Sequence, residues 1–324
     1  MSHRIVADNI PESVHQKLLR LKEREGYGGA TWTDYFKHIV KQLPLTDDVD
    51  ERIRRATAEG LLKTWMGNLR DNLPDIVKEK SIADLVSPEV KAHPDDPQPY
   101  RAVVLGRGPS VFKHKHLELL AEKGDPDTWI FATDGMIAKA FEAGVTPERF
   151  PNYYAISVDG DRVAIPRFFE PPILEKYGAG VKLALAVTVA KKTADLARKA
   201  GIPLYWFTPL WDDLEQNESV THIVNLMTET DERPRAVPDL SPLGNAGAGC
   251  WVLAWELFRI PNIALIGIDL GYPDGTPPEA TQYWEILKKR TGGDRVQMEA
   301  AYKRIYNPDL GIHALTDIVF NHYR

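Results

Sequence analysis

Ala102-Val103-Val104-Leu105-Gly106-Arg107-Gly108-Pro109-Ser110-Val111 is the stretch on which the reading of this chain turns. A short apolar run bounded by turn residues reads as a buried parallel strand. It ends in a glycine turn, and a helix-like segment follows from Lys113. Strand, glycine turn and helix together present free backbone N–H groups and the positive helix end to an anion. The expected ligand is therefore phosphorylated, a nucleotide above all, with Gly106, Gly108, Pro109 and Ser110 as phosphate contacts. The competing reading is an ordinary strand-to-helix turn. The dinucleotide fingerprint asks for a third glycine and for an acid about 20 residues on. Val111 stands at the third position, so NAD is not expected.

Downstream, strands and helices alternate, which predicts an α/β, Rossmann-like fold with a mainly parallel sheet flanked by helices. The predicted strands are Ala102–Leu105, Trp129–Ala132, Tyr153–Val158, Lys182–Val187, Leu204–Phe207 and Ile263–Ile266. Helices are expected at 113–123, 135–143, 190–200, 246–258 and 279–290. Ligands of open α/β sheets bind beyond the carboxyl ends of the strands. Polar clusters fall there repeatedly: Gly106–Ser110, Thr133-Asp134-Gly135, Ser157–Arg162, Gly244–Gly249 and Gly267–Tyr272. Asp159 and Asp161 are spaced to meet one hard cation, or to cap an Asx-type turn. Asn245, Ala246 and Gly247 open a helix as a second anion cradle, or as a close helix–sheet contact.

The sequence before this domain divides in two. Residues 1–45 read as a strand-helix-helix module similar to a ribbon-helix-helix unit: a strand is expected over Arg4–Ile10, a helix from Glu12 to Glu25, a break at Gly26–Gly29 and a second helix capped by Thr31 or Thr33. Its candidate strand carries Asp8 as well as Arg4, so docking or homodimerisation is expected rather than DNA binding. Residues 46–99 read as a helical segment with an apolar stripe through Ile53, Leu61, Leu62, Trp65, Met66 and Leu69. The segment closes with the linker His93–Pro99, and the main domain runs from 100 to 324.

Composition bounds the alternatives. The 324 residues carry a net charge of −6, 43% hydrophobic and 27% charged residues, which suits a globular protein and gives no electrostatic case for coating nucleic acid. The single cysteine, Cys250, excludes an intrachain disulfide framework and argues against a zinc site, and no haem is expected. No signal peptide opens the sequence and no apolar run reaches about 18 residues, so a cytoplasmic protein with no membrane span is expected.

The motifs also carry a family resemblance. Leu105–Ser110 resembles the G-x-G-P-S turn of the MptE-like family, named after archaeal 6-hydroxymethylpterin diphosphokinase, which also holds the Maf motility-associated flagellin glycosyltransferases. Phe131–Gly135 with Ala143–Pro147, Tyr154–Asp159, Asn245-Ala246-Gly247 and Ile266–Tyr272 are similar to its later strands and glycine helix, over roughly residues 65–310. The resemblance implies a Rossmann-like domain related to sialyltransferases that binds a nucleotide or nucleotide-activated sugar.

It implies two chemistries. The Maf branch transfers a nonulosonic acid from a CMP donor to a protein or small-molecule acceptor. In that case the glycine loops, Thr133 and Asn245-Ala246-Gly247 hold the leaving phosphate, and Asp134, Asp159 or Asp269 takes the acceptor proton. The pterin branch moves a diphosphate from magnesium ATP to a pterin-like hydroxymethyl group. Asp159 and Asp161 would then hold magnesium, with Arg162 or Lys191 neutralising charge. That branch's His-Gly-Asp-Asn motif is replaced here by Ala186–Lys192, without histidine, which favours glycosyl transfer. A third reading is a non-catalytic nucleotide-binding regulator with a DNA-binding or dimerising N-terminal module. His222 and His313 are acid–base candidates by residue type alone.

Overall fold

The computed structural model describes residues 49–320, apart from 93–95, 213–218, 231–235 and single positions at 282, 285, 286, 289, 290, 309, 310 and 319; before residue 49 it describes only 19, 20, 22, 23 and 29. The expected module at 1–45 therefore lies outside the described residues.

The core is a seven-stranded sheet built from β1 (Arg101–Leu105), β2 (Trp129–Thr133), β3 (Tyr153–Ser157), β4 (Val181–Ala186), β5 (Leu204–Pro209), β6 (Asp239–Leu240) and β7 (Asn262–Ile266). Their order is β6-β5-β4-β3-β2-β1-β7, and every pairing is parallel. The α/β, Rossmann-like expectation stands. All six predicted strands are present within a residue or two, and β6 is a two-residue edge that the sequence reading lacked.

Side chains alternate across a strand. Tyr153 meets Phe141 of the Ile137–Glu142 helix, ring centroids 5.5 Å apart, whereas its neighbour Tyr154 meets Phe258 at 4.7 Å. Helices therefore cover both faces, and Phe131, Tyr153 and Trp206 are fully buried between them. The chain winds steadily from β1 to β6 and then returns to lay β7 on the far side of β1. The connections thus diverge at the β1/β7 boundary, the kind of place where open sheets form a crevice.

The expected 113–123 helix is two helices, Pro109–Lys113 and His116–Lys123, because Lys115 between them has φ 51°, a left-handed conformation that stops the first. The 246–258 helix begins as Ala246–Val252 and widens to a π-turn at Leu253–Leu257. For 279–290 the described residues show a short turn, Pro278–Ala280, and fragments beyond it. The Val220–Thr228 helix was not expected.

The segment placed ahead of the main domain is part of its core. Leu62, Leu69, Leu73 and Ile76 of the Val49–Ile76 helix recur on one side and are buried in the same cluster as the sheet. Between them Asn68 donates to the carbonyls of Gly160 (2.9 Å) and Thr188 (2.8 Å), and Asn72 donates to Val189 (2.7 Å). Their amide N–H groups bind the helix to the carboxyl ends of β3 and β4. Beyond the helix, the Lys80 carbonyl accepts from Trp206 N–H of β5 at 2.9 Å. The boundary at residue 100 consequently falls inside one packed unit. Residues 96–99 lack regular structure.

A second, three-stranded antiparallel sheet of order β8-β10-β9 follows β7, with β8 Tyr272–Pro273, β9 Tyr302–Asn307 and β10 Ile312–Asp317. It has its own small core of Leu287, Met298, Tyr302 and Leu315. No described helix is long and apolar enough to cross a membrane.

Candidate functional site

At the β1/β7 mouth the structure joins two motifs that lie 159 residues apart. Asp269 accepts hydrogen bonds from the backbone N–H of Ser110 and from its hydroxyl, both at 2.6 Å. Gly106 N–H donates to the Ile266 carbonyl (2.8 Å), Gly108 N–H to the Gly267 carbonyl (2.7 Å), and Pro109 has no N–H to give. A Cβ on Gly108 would lie 2.5 Å from the Asp269 carboxylate and 2.7 Å from the Gly267 carbonyl, which is why only glycine fits there. The donors that the sequence offers to a phosphate thus meet a carboxylate and carbonyls of the same chain. Asp269, expected as an acid–base candidate, has an oxygen engaged by each Ser110 donor.

Asn245, Ala246 and Gly247 lie beside this mouth. Asn245 caps its helix by accepting from Ala248 N–H at 2.9 Å. The tip of Ile268 lies 2.4 Å from where a Cβ on Gly247 would stand and 2.3 Å from one on Gly106. Both glycines make room for Ile268, so close packing accounts for their lack of side chains.

The β2/β3 mouth is different. Thr133, buried, ends β2, and Asp134 follows it, 7% exposed. Its carboxylate accepts from Gly135 N–H and from the Ser157 hydroxyl at the end of β3, both at 2.7 Å. Burial pushes the pKa of Asp134 up from 3.8 to about 6. The Ser157 and Gly135 bonds restrain that rise, the charge of Asp159 adds to it, and Arg107 opposes it. Cys250, buried on the Ala246–Val252 helix, has its thiol pKa raised by burial first and by Asp134 second.

Arg107 is exposed at this mouth, and its guanidinium lies over the ring of Phe168 at 5.0 Å from the centroid. A Cβ on Gly135 would stand 3.2 Å from Arg107 Cδ and 3.3 Å from the Phe168 ring, so a larger residue there would crowd the stack. Among the described residues no carboxylate comes within ion-pair distance of this guanidinium.

Asp159 and Asp161 lie in the loop after β3. Asp159 accepts from Asp161 N–H (2.9 Å), and Asp161 accepts from Val163 (2.7 Å) and Ala164 (2.5 Å) N–H. This is the Asx-turn arrangement weighed against a cation site. Among the described residues no three His, Cys, Asp or Glu side chains gather as a metal would need. Asp161 is exposed, and both carboxylates are engaged by backbone N–H groups of their own loop. Lys191 is ion-paired with Asp75 and Asp195, and Arg162 donates to Asn68, so neither faces Asp134 as a free cation. His313 lies in the small sheet against Tyr306.

The structure thus brings Asp134 together with Ser157, Arg107 and Phe168, and Asp269 together with the glycine turn. Ser157 stood inside a quoted motif and Arg107 inside the opening one. Neither carried a sequence signal of its role, because each role depends on a contact made by another strand or loop.

No protein-family model matches this chain, and no curated protein is recognisably similar to it in sequence. Among solved structures the chain is similar to a Maf glycosyltransferase from Magnetospirillum magneticum AMB-1, at 13% identity and a TM-score of 0.43. That match covers 71% of this chain and 31% of the other, so the chain spans under a third of the structure it matches.

Proposed function

We propose that this protein is a nucleotide-dependent transferase that moves a glycosyl group, of the nonulosonic acid type, from a nucleotide-activated donor to a hydroxyl acceptor. The observation that carries the reading is Asp134: a buried carboxylate at a strand's carboxyl end, held by Ser157 and Gly135, with its pKa raised to about 6. The resemblance of the motifs to the MptE-like family and its Maf branch supports the substrate class.

In this reaction Asp134 accepts the proton of the acceptor hydroxyl as its oxygen attacks the anomeric carbon. The bond from that carbon to the donor phosphate breaks, and its electron pair leaves on the phosphate. A pKa near 6 suits the task, since the group is ionised near neutrality yet basic enough to take a proton. Ser157 fixes the carboxylate from the neighbouring strand. Diphosphoryl transfer gains no such support, because its acids, Asp159 and Asp161, are turned into their own loop.

The test is release of CMP from a CMP-activated nonulosonic acid in the presence of a hydroxyl acceptor. The wild type is expected to turn over, with kcat/KM rising through about pH 6, and Asp134→Asn is expected to lose about a hundredfold or more. Turnover by Asp134→Asn at the wild-type rate, or no turnover by the wild type, contradicts the proposal.

A further inference from the structure

We infer that Arg107 is the phosphate-recognising residue of this protein, holding a phosphate group of the nucleotide on its guanidinium beside Asp134, at the β2/β3 mouth. The nucleotide is taken from the proposed function; the phosphate contact is read from the site itself.

The glycine turn is poorly placed for the role that its sequence suggests. Ser110 N–H and hydroxyl are held by Asp269, Gly106 and Gly108 N–H by carbonyls, and Pro109 offers none. A phosphate arriving there would face the Asp269 carboxylate, and like charges at such range repel. Arg107, one residue into the same turn, is arranged in the opposite way. Its guanidinium carbon lies over the Phe168 ring, 5.0 Å from the centroid, and the side chain is exposed. A guanidinium held over one ring has five N–H donors, and an exposed one keeps those turned away from the ring on the solvent side. Those groups form the fork that matches two oxygens of a phosphate. The stack also fixes the long side chain beforehand, which lowers the entropy lost on binding.

Position gives the contact its meaning. Arg107 Cδ lies against Gly135, the residue after Asp134, so the fork and the proposed base share one mouth. In glycosyl transfer the base acts on the acceptor side of the anomeric carbon, and the phosphate leaves from the other side. Base and leaving phosphate flank one carbon, so both must be served from one mouth, and a long cationic side chain rooted on a different strand's loop can reach across it to the developing negative charge.

Calorimetry on the full chain decides this, with inorganic pyrophosphate, CMP and cytidine as probes. Pyrophosphate and CMP are expected to bind, and cytidine, which lacks a phosphate, far more weakly. Arg107→Ala is expected to weaken pyrophosphate and CMP at least about tenfold, and Arg107→Lys, which keeps the charge and loses the fork, to fall between. Phe168→Ala tests the stack and is expected to weaken both ligands by a smaller factor. Wild-type affinity for pyrophosphate in Arg107→Ala overturns the inference, as does loss of that affinity in Ser110→Ala, or no pyrophosphate binding by the wild type. If Arg107 binds pyrophosphate but no nucleotide-sugar is turned over, the inference stands and the proposed function fails. If Arg107→Ala turns over the donor as the wild type does, the proposed function stands and the inference fails.

Discussion

Asp134 and Asp269 invite comparison because so much about them is alike. Each is 7% exposed, each follows a strand of the same sheet, and each accepts one backbone N–H and one serine hydroxyl. What differs is what the bonds connect. Asp269 takes both donors from Ser110, across 159 residues of chain, and so ties the end of β7 to the turn after β1. Asp134 is bonded to its own neighbour and to the adjacent strand, and its charge is penalised by burial with Asp159 nearby. The same kind of side chain is a structural tie in one mouth and, in the other, a desolvated carboxylate to which the proposed function gives the proton transfer. Residue type and place at a strand end do not separate the two; their partners do.

The comparison breaks first at Gly108. Gly108→Val drives a side chain into Asp269 and the Gly267 carbonyl. It is expected to cost more than about 4 kcal/mol, so that the protein fails to fold in an expression and circular-dichroism test; a folded variant would show that the tie is dispensable. Asp269→Ala leaves both Ser110 donors without an acceptor and is expected to lose about 3 kcal/mol in urea unfolding. Ser157→Ala sharpens the other side. It is expected to lose about 1 kcal/mol of stability, and, because the hydroxyl restrains the rise at Asp134, to move the acid limb of the pH–rate profile above 6. The smallest effect is expected at exposed Asp161: Asp161→Asn should change stability by less than about 1 kcal/mol and leave nucleotide binding insensitive to EDTA, as isothermal titration would record.

The first five strands were legible because parallel strands buried on both faces read as unbroken apolar runs, and β7, although largely exposed, carries the same kind of run in Ile263–Ile266. Tyr302–Asn307 and Ile312–Asp317 were not, since one carries Lys303 and Arg304 and their small sheet is buried only in part. The Val49–Ile76 helix was visible as an apolar stripe, but a stripe does not say which core it joins, and Asn68 and Asn72, which bond it to the loops after β3 and β4, are polar residues that a hydrophobic pattern ignores. The acids at the strand ends were all visible. Their roles were not, because the Ser110–Asp269 pairing and the Arg107–Phe168 stack join segments that only the fold brings together.

The most direct test of the contrast is the unfolding free energy of the wild type, Asp134→Asn and Asp269→Asn, measured at pH 8 and again towards pH 4. The Asp134 pKa is raised in the folded state, so its contribution favours folding below about 3.8 and is lost as the pH rises through about 6. The rise corresponds to about 3 kcal/mol of penalty at pH 8, part of which a weaker hydrogen bond in the variant offsets. Asp134→Asn is predicted to be about 2 kcal/mol more stable than the wild type at pH 8, with the gain shrinking towards pH 4, while Asp269→Asn is less stable than the wild type. An Asp134→Asn protein destabilised at pH 8 to the same extent as Asp269→Asn would contradict the account.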